Sequence, residues 1–164
     1  MIAAVWRPMT AGDIADVARI SCLVHGAYGE EAATYAERLR LFPAGCFVLI
    51  VGGAVVGFLV CHPWHCGSPP ALNALLGAIP VDAGCLYLHD LALLASVRGT
   101  GSGRAATAIA VEVARAEELA TIRLVAVNGA ESFWSGQGFG YLAGEGAEAA
   151  FGEGAYFMER CLKI

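Results

Sequence analysis

The sequence predicts an α/β fold, a mixed sheet with helices on both faces, built as one domain of 164 residues. Three observations carry this reading. Apolar runs bounded by turn-forming residues alternate with stretches of helical period, in the order β-α-α-β-β-β-α-β-α-β-β. Two of the runs are separated only by Gly52-Gly53, the spacing of a hairpin. A third run feeds a glycine turn that opens directly into a helix, in the stretch CLYLHDLALLASVRGTGSGR from Cys85 to Arg104.

Each element follows from local chemistry. Val5-Trp6-Arg7 reads as a first strand that Pro8 ends. Thr10 followed three residues later by Asp13 approximates a capping box, and Ile14, Val17, Ala18 and Ser21-Cys22 then fall on one helical face. Gly26 ends that helix. The second, Glu30 to Leu41, has an acidic start and a basic end that suit the helix dipole. Cys46–Val51 and Ala54–His62 form the hairpin. Pro63 to Gly84 is an insertion rich in Pro, Gly and Ala, with a short helix expected at Ala71–Leu76. Cys85–Leu94 is a mostly buried strand, followed by a helix over Gly103–Leu119 that presents Ala106, Ile109, Ala110, Val113 and Ala114 to the sheet. Thr121–Val127 is the next strand, Ala130–Ser135 a short helix, and Phe139-Gly140-Tyr141 leads into another strand. Gly144–Gly154 reads as a mobile loop, and Ala155–Lys163 as the last strand.

Composition bounds the function. Hydrophobic residues make up 57 % and charged residues 15 %, with a mean hydropathy of +0.61. Much of that is Ala and Gly, and the longest apolar candidate, Cys46–Cys61, contains three glycines and reads as two strands. No membrane span is expected. The N-terminus lacks a basic segment before an apolar block, so a cytoplasmic protein is expected. The net charge of −5 argues against nucleic acid, which needs a basic footprint, and mildly favours a cationic amine as substrate. Of the six cysteines, Cys22, Cys46, Cys61, Cys85 and Cys161 sit in apolar surroundings and read as small buried hydrophobes rather than a disulfide framework.

Two clusters invite chemistry. Cys61-His62-Pro63-Trp64-His65-Cys66 places two thiols and two imidazoles within six residues. Four ligands so close in sequence do not readily surround a tetrahedral ion, and no second Cys/His pair follows downstream. No metal is expected; the cluster reads as a loop lining a substrate or as loop packing. The second cluster, Arg98-Gly99-Thr100-Gly101-Ser102-Gly103 before a helix, is an anion site, since glycine lets backbone N–H groups close on a phosphate where the helix dipole adds positive potential. A dinucleotide fold would also need the next strand to end in an acidic residue. That strand, IRLVAV, ends in Asn128-Gly129.

The Arg98–Gly103 loop, the strand Leu124–Val127 with Asn128 after it, and Phe133-Trp134 with Gly138-Phe139 occur in one order and at suitable intervals. In this the chain resembles the GCN5-related N-acetyltransferases, whose pyrophosphate loop reads Arg/Gln-x-x-Gly-x-Gly and whose later block reads N…FY…GF. The resemblance runs from about Cys85 to Phe139. It implies a mostly antiparallel mixed sheet of six to seven strands and an acyl-CoA donor, most simply acetyl-CoA. Backbone N–H groups of Arg98, Gly99, Thr100, Gly101, Ser102, Gly103 and Arg104 would hold the pyrophosphate. Leu91, Ala92 and Leu93 would bond the pantetheine arm as an added strand does, with Asn128 on the same arm (or a turn residue before Gly129) and Phe133 and Trp134 beside it. It also implies a small-molecule or peptide amine as acceptor, in a monomer or homodimer, with the region of Tyr28, Glu30, Glu31 and Tyr35 near it.

Acyl transfer requires that the ammonium lose a proton, that the carbonyl oxygen be stabilised, and that the departing thiolate gain a proton. His89 and Asp90 stand on the central strand as candidate catalytic residues, each otherwise a structural polar group. Strand alternation sends them to opposite faces, so they are not expected in one pocket. Trp134 departs from the family's tyrosine, and an indole has no proton to give a thiolate. That departure leaves a rival reading: an acyl-CoA-binding sensor or interaction domain without turnover.

Overall fold

The computed structural model describes residues 2–142 and 151–163. In chain order the elements are β1 (Val5–Pro8), α1 (Ile14–His25), α2 (Ala32–Leu41), β2 (Cys46–Val51), β3 (Ala54–Trp64), β4 (Cys85–Leu93), α3 (Ser102–Ala116), β5 (Thr121–Ala126), α4 (Glu131–Gly136), β6 (Gly140–Tyr141) and β7 (Tyr156–Cys161). The seven strands form one sheet in the order β1-β2-β3-β4-β5-β7-β6. Every pairing is antiparallel except β4 with β5.

Two apolar layers hold the helices to opposite faces. Val17, Ile20 and Tyr35 of α1 and α2 pack on Val48, Phe58, Val60 and Ala92. On the other face, Ala106, Ala110 and Ala114 of α3 and Trp134 of α4 pack on Leu59, Leu86, Leu88, Ile122 and Leu124. The alanines keep α3 close to the sheet, because a helix with short side chains on its inner stripe can approach its partner closely. A tight approach occurs under β3 as well, where a Cβ on Gly45 would lie 1.9 Å from the Cys61 carbonyl oxygen.

The predicted elements recur in order, with local differences. Ala71–Leu76 is not a helix: a single turn closes from Ala74 N–H to Ala71 C=O at 3.1 Å, because the segment's backbone donors are taken instead by carboxylates of the α1–α2 region. The inner face of α1 is Val17, Ile20 and Ser21, which turns Cys22 outward. Cys22 and Cys161 are exposed, whereas Cys46, Cys61 and Cys85 are buried. Most of the stretch Gly144–Gly154, read as a mobile loop, lies outside the described residues. Among those described, no helix is long and apolar enough to cross a membrane.

Two features of β4 position the site. Its parallel pairing with β5 covers only Leu86 with Ile122 and Tyr87 with Arg123. Beyond those pairs the two strands part, although β4 stays paired with β3 as far as Leu93 opposite Gly57. The second feature is a β-bulge. Val60 faces Asp90 while the next residue, Cys61, faces Leu88, so His89 is an extra residue in β4.

Candidate active site

A cavity of about 700 Å³ occupies the gap between β4 and β5. Leu91 and Leu93 line one wall, Val125, Val127 and Asn128 the other. One end is closed by Arg98, Gly99, Gly101, Gly103 and Arg104, and the other by His25, Tyr28, Glu30, His89 and Asp90.

The glycine end is built for backbone approach. Gly101 caps α3 in the left-handed region, at φ 89°, which other residues adopt only with strain. The hydroxyls of Thr100 and Ser102 turn into the loop: Thr100 donates to the Val97 carbonyl at 2.6 Å and lies 2.9 Å from Ser102 Oγ. They stiffen the turn and leave its amide edge clear. Arg98 Nε donates to the Leu93 carbonyl at 3.1 Å, tying the loop to the end of β4. Trp6 of β1 donates from Nε1 to the Ser102 carbonyl at 3.1 Å and braces the first turn of α3. Gly103 admits Phe133, whose Cζ would lie 2.9 Å from a Cβ at that position.

The far end holds two imidazole–carboxylate pairs. His25, the last residue of α1, places Nε2 at 2.5 Å from Asp90 Oδ1. The Tyr35 hydroxyl donates to Asp90 Oδ2 at 2.6 Å. Ser21 Oγ accepts from Glu30 N–H at 3.0 Å and lies 2.7 Å from the Tyr35 oxygen; since the tyrosine proton goes to the carboxylate, the serine donates to the tyrosine. Each bond in this chain polarises the next toward Asp90. The second pair joins His89 Nε2 to the Glu30 carboxylate, whose other oxygen accepts Asn73 N–H at 2.9 Å.

The charges settle how these groups behave. Burial alone would raise the Asp90 carboxyl, but the His25 charge and hydrogen bond, His89 and the Tyr35 hydroxyl outweigh it and hold its pKa below the ordinary value. Burial opposes the charge on His25, yet Asp90, with help from Glu30, raises its pKa against a smaller opposing effect of Arg98. His62 behaves oppositely: burial, then the His89 charge, drops it to about 3, so it stays neutral. The Cys61 thiol is pushed well up by burial. Among the described residues no three His, Cys, Asp or Glu side chains group as a metal ion would require.

The expectation that His89 and Asp90 project to opposite faces is overturned. Leu88 and Leu91 pack toward α3, whereas His89 reaches Glu30 and Asp90 reaches Tyr35, both on the α1–α2 side. The extra residue at His89 breaks the two-residue alternation and brings both side chains to one pocket. Of the expected binding residues, Arg98, Gly99, Gly101, Gly103, Arg104, Leu91, Leu93, Asn128, Phe133 and Trp134 line the cavity. Thr100 and Ser102 form the loop without lining it. Ala92 is 1 % exposed and packs with Phe58 and Val60 beneath α1 and α2. Asn128 takes φ 54°, which suits the turn it makes before Gly129 as well as its place on the wall. His25 was missed. Its signal, a histidine ending a helix beside Gly26, also fits an ordinary C-terminal cap.

The model of the family described as "Acetyltransferase (GNAT) family" matches residues 15–139. Ard1 from Thermoplasma volcanium superposes with a TM-score of 0.77 at 22 % identity, over 99 % of both chains. A GphF GNAT-like decarboxylase in complex with isobutyryl-CoA gives 0.79 at 18 %, over 97 % of this chain and 100 % of that one. Arabidopsis thaliana Naa50, in complex with the bisubstrate analogue CoA-Ac-MVNAL, gives 0.71 at 13 %, over 97 % and 99 %. At such identities these likenesses concern the fold. No curated protein matches the sequence.

Proposed function

The chain belongs to the acetyltransferase (GNAT) family, and from that premise we propose that it is an acyl-CoA-dependent N-acyltransferase carrying an acetyl group from acetyl-CoA to a primary amine. The observation that carries this is a single cavity with a phosphate-type loop at one end and a carboxylate-backed imidazole at the other. Structural neighbours in complex with CoA, isobutyryl-CoA or a CoA bisubstrate analogue support the donor class.

The amides from Gly99 to Arg104 at the α3 N-terminus receive the pyrophosphate, the Arg98 N–H being given to the Ala95 carbonyl at 3.3 Å. The pantetheine arm lies in the gap, where β4 beyond Tyr87 has no β5 partner and offers its edge to the arm's amides. The thioester then faces the His25–Asp90 pair. Asp90 has both oxygens engaged, so it acts through His25, holding the ring with Nδ1 toward the cavity. That nitrogen takes the ammonium proton, as a carboxylate-oriented imidazole does in other acyl transfers. The neutral amine attacks the carbonyl carbon, the C–N bond forms, and the C–S bond breaks. The second nitrogen proton ends on the departing thiolate, giving amide and CoA thiol. His89, 5 % exposed with Nε2 on Glu30, fixes the neighbouring wall.

Trp134 favours a second reading, a domain that binds acyl-CoA without turnover. The ring is 6 % exposed, packed against Phe133 and Phe139, and has no proton for the thiolate. A CoA thiolate leaves tolerably near neutral pH, so the acid is dispensable. Calorimetry with acetyl-CoA alongside thiol release over an amine panel tests both. Binding with turnover supports transfer, binding without turnover supports the second reading, and no binding rejects both.

A further inference from the structure

The acceptor half of the cavity is roofed. The insertion between β3 and β4 sends Pro70 and Leu72 into the lining and is pinned over α2 by carboxylates. Glu30 accepts Asn73 N–H at 2.9 Å, and Glu37 accepts Leu76 N–H at 2.6 Å and Gly77 N–H at 3.0 Å. Asn73 answers by accepting Glu31 N–H at 2.8 Å. On the other side, the Tyr28 hydroxyl donates to the Phe151 carbonyl at 2.7 Å, and Phe151 also lines the cavity. A backbone entering as an extended peptide would meet these bonded segments.

The charges of this chamber are one-sided. Two carboxylates, Glu30 and Asp90, stand in its wall, each paired only with an imidazole. Among the described residues the only arginines lining the cavity are Arg98 and Arg104 at the glycine end, and no lysine lines it. Arg38 is 1 % exposed, bound to Glu37, and not part of the lining. An ammonium finds partners here. A carboxylate one or two bonds from that ammonium would face two like charges, with no lysine or arginine in the lining at this end, which is costly in a desolvated site. Val24, Pro70, Leu72 and Phe151 supply an apolar lining for the remainder of the ligand.

We propose that the acceptor is a small primary amine with an apolar body and no carboxylate, held in the chamber that residues 65–84 close. This rests on the acyltransferase reading above. It excludes free α-amino acids and protein N-termini as good acceptors, the former by charge and the latter by the roof.

Thiol release from acetyl-CoA is measured with phenethylamine, with phenylalanine, and with a tripeptide beginning in phenylalanine, which differ only in what the amine-bearing carbon carries. Phenethylamine is expected to exceed both others in kcat/KM by about a hundredfold, the scale of an uncompensated like-charge contact. Equal or better turnover of the amino acid or the peptide would overturn the proposal. So would CoA binding by calorimetry with no turnover of phenethylamine, while loss of CoA binding would instead reject the donor reading on which it rests. Leu72→Ala is expected to raise KM for phenethylamine several-fold with the CoA dissociation constant unchanged. An unchanged KM would show that the roof does not touch the acceptor.

Discussion

His25 and Asp90 are 65 positions apart in the chain and meet at 2.5 Å, one at the end of α1 and the other just after the bulge in β4. The carboxylate is held on its other oxygen by Tyr35, so the imidazole has one fixed nitrogen, on a ring that lines the cavity. If this pair removes the ammonium proton, His25→Gln should lower kcat by about a hundredfold to ten-thousandfold, the range of general-base contributions. Acetyl-CoA affinity should be unchanged, since His25 lies at the opposite end from the loop. Calorimetry and steady-state kinetics on the same preparation check this, and undiminished kcat would assign the base elsewhere.

Titration gives a second measurement. The base works when neutral, and Asp90 raises His25 above its ordinary value of 6.5. The alkaline-rising limb of kcat/KM should therefore fall above pH 6.5, and Asp90→Asn should move it to lower pH while lowering the plateau. The acceptor's own ionisation is common to both proteins and cancels in the comparison. For stability the signs are opposite. The depressed Asp90 contributes above its ordinary 3.8 and loses its contribution as pH falls. The raised His25 contributes below 6.5 and loses its contribution as pH rises through the raised value. Denaturation curves of wild type and Asp90→Asn should differ most between those two values.

At the other end, Gly101 sits at φ 89° as the cap of α3. A valine there strains the turn by about 1–3 kcal/mol and displaces the amides that follow. Gly101→Val should abolish acetyl-CoA binding by calorimetry while circular dichroism still reports a folded domain. Retained affinity would place the donor outside this loop.

Gly45 provides a control for packing without chemistry. A Cβ there would fall 1.9 Å from the Cys61 carbonyl oxygen and 2.8 Å from the Phe42 ring. Backbone cannot give way as a side chain does, so Gly45→Ala should destabilise the protein by about 3 kcal/mol or more. Urea unfolding measures it.

Thiol reactivity should divide the cysteines. Burial raises Cys46 and Cys85 to about 12, with a hydrogen bond to Cys66 adding to the rise at Cys85, while Cys22 and Cys161 are exposed. At pH 8 a thiol reagent should modify Cys22 and Cys161 rapidly. Cys46 and Cys85 should react only on unfolding, because the thiolate is the reacting form. Peptide mapping of the labelled protein reads this out.

The parts legible in the sequence were those set by local pattern. The hairpin at Gly52-Gly53, the loop from Arg98 to Gly103 and the alanine stripe of α3 all follow from spacing within one or two elements. What stayed hidden was set by contacts between distant segments. His25 becomes part of the site only because α1 ends over Asp90. The insertion looked helical at Ala71–Leu76, but Glu30 and Glu37 claim the amides that a helix would have used for itself. Cys22 appeared to face the core because Ser21, its neighbour, does. The shared orientation of His89 and Asp90 depended on how β4 aligns with β3, and nothing within either strand announces that alignment.

That alignment makes the site a matter of arithmetic as well as composition. Removing the one supernumerary position, His89, would restore regular pleating and leave Asp90 opposite Val60 on the α1–α2 side, still within reach of His25 and Tyr35. Glu30 alone would lose its imidazole. A single-codon deletion would thus take away one of the two pairs and spare the other.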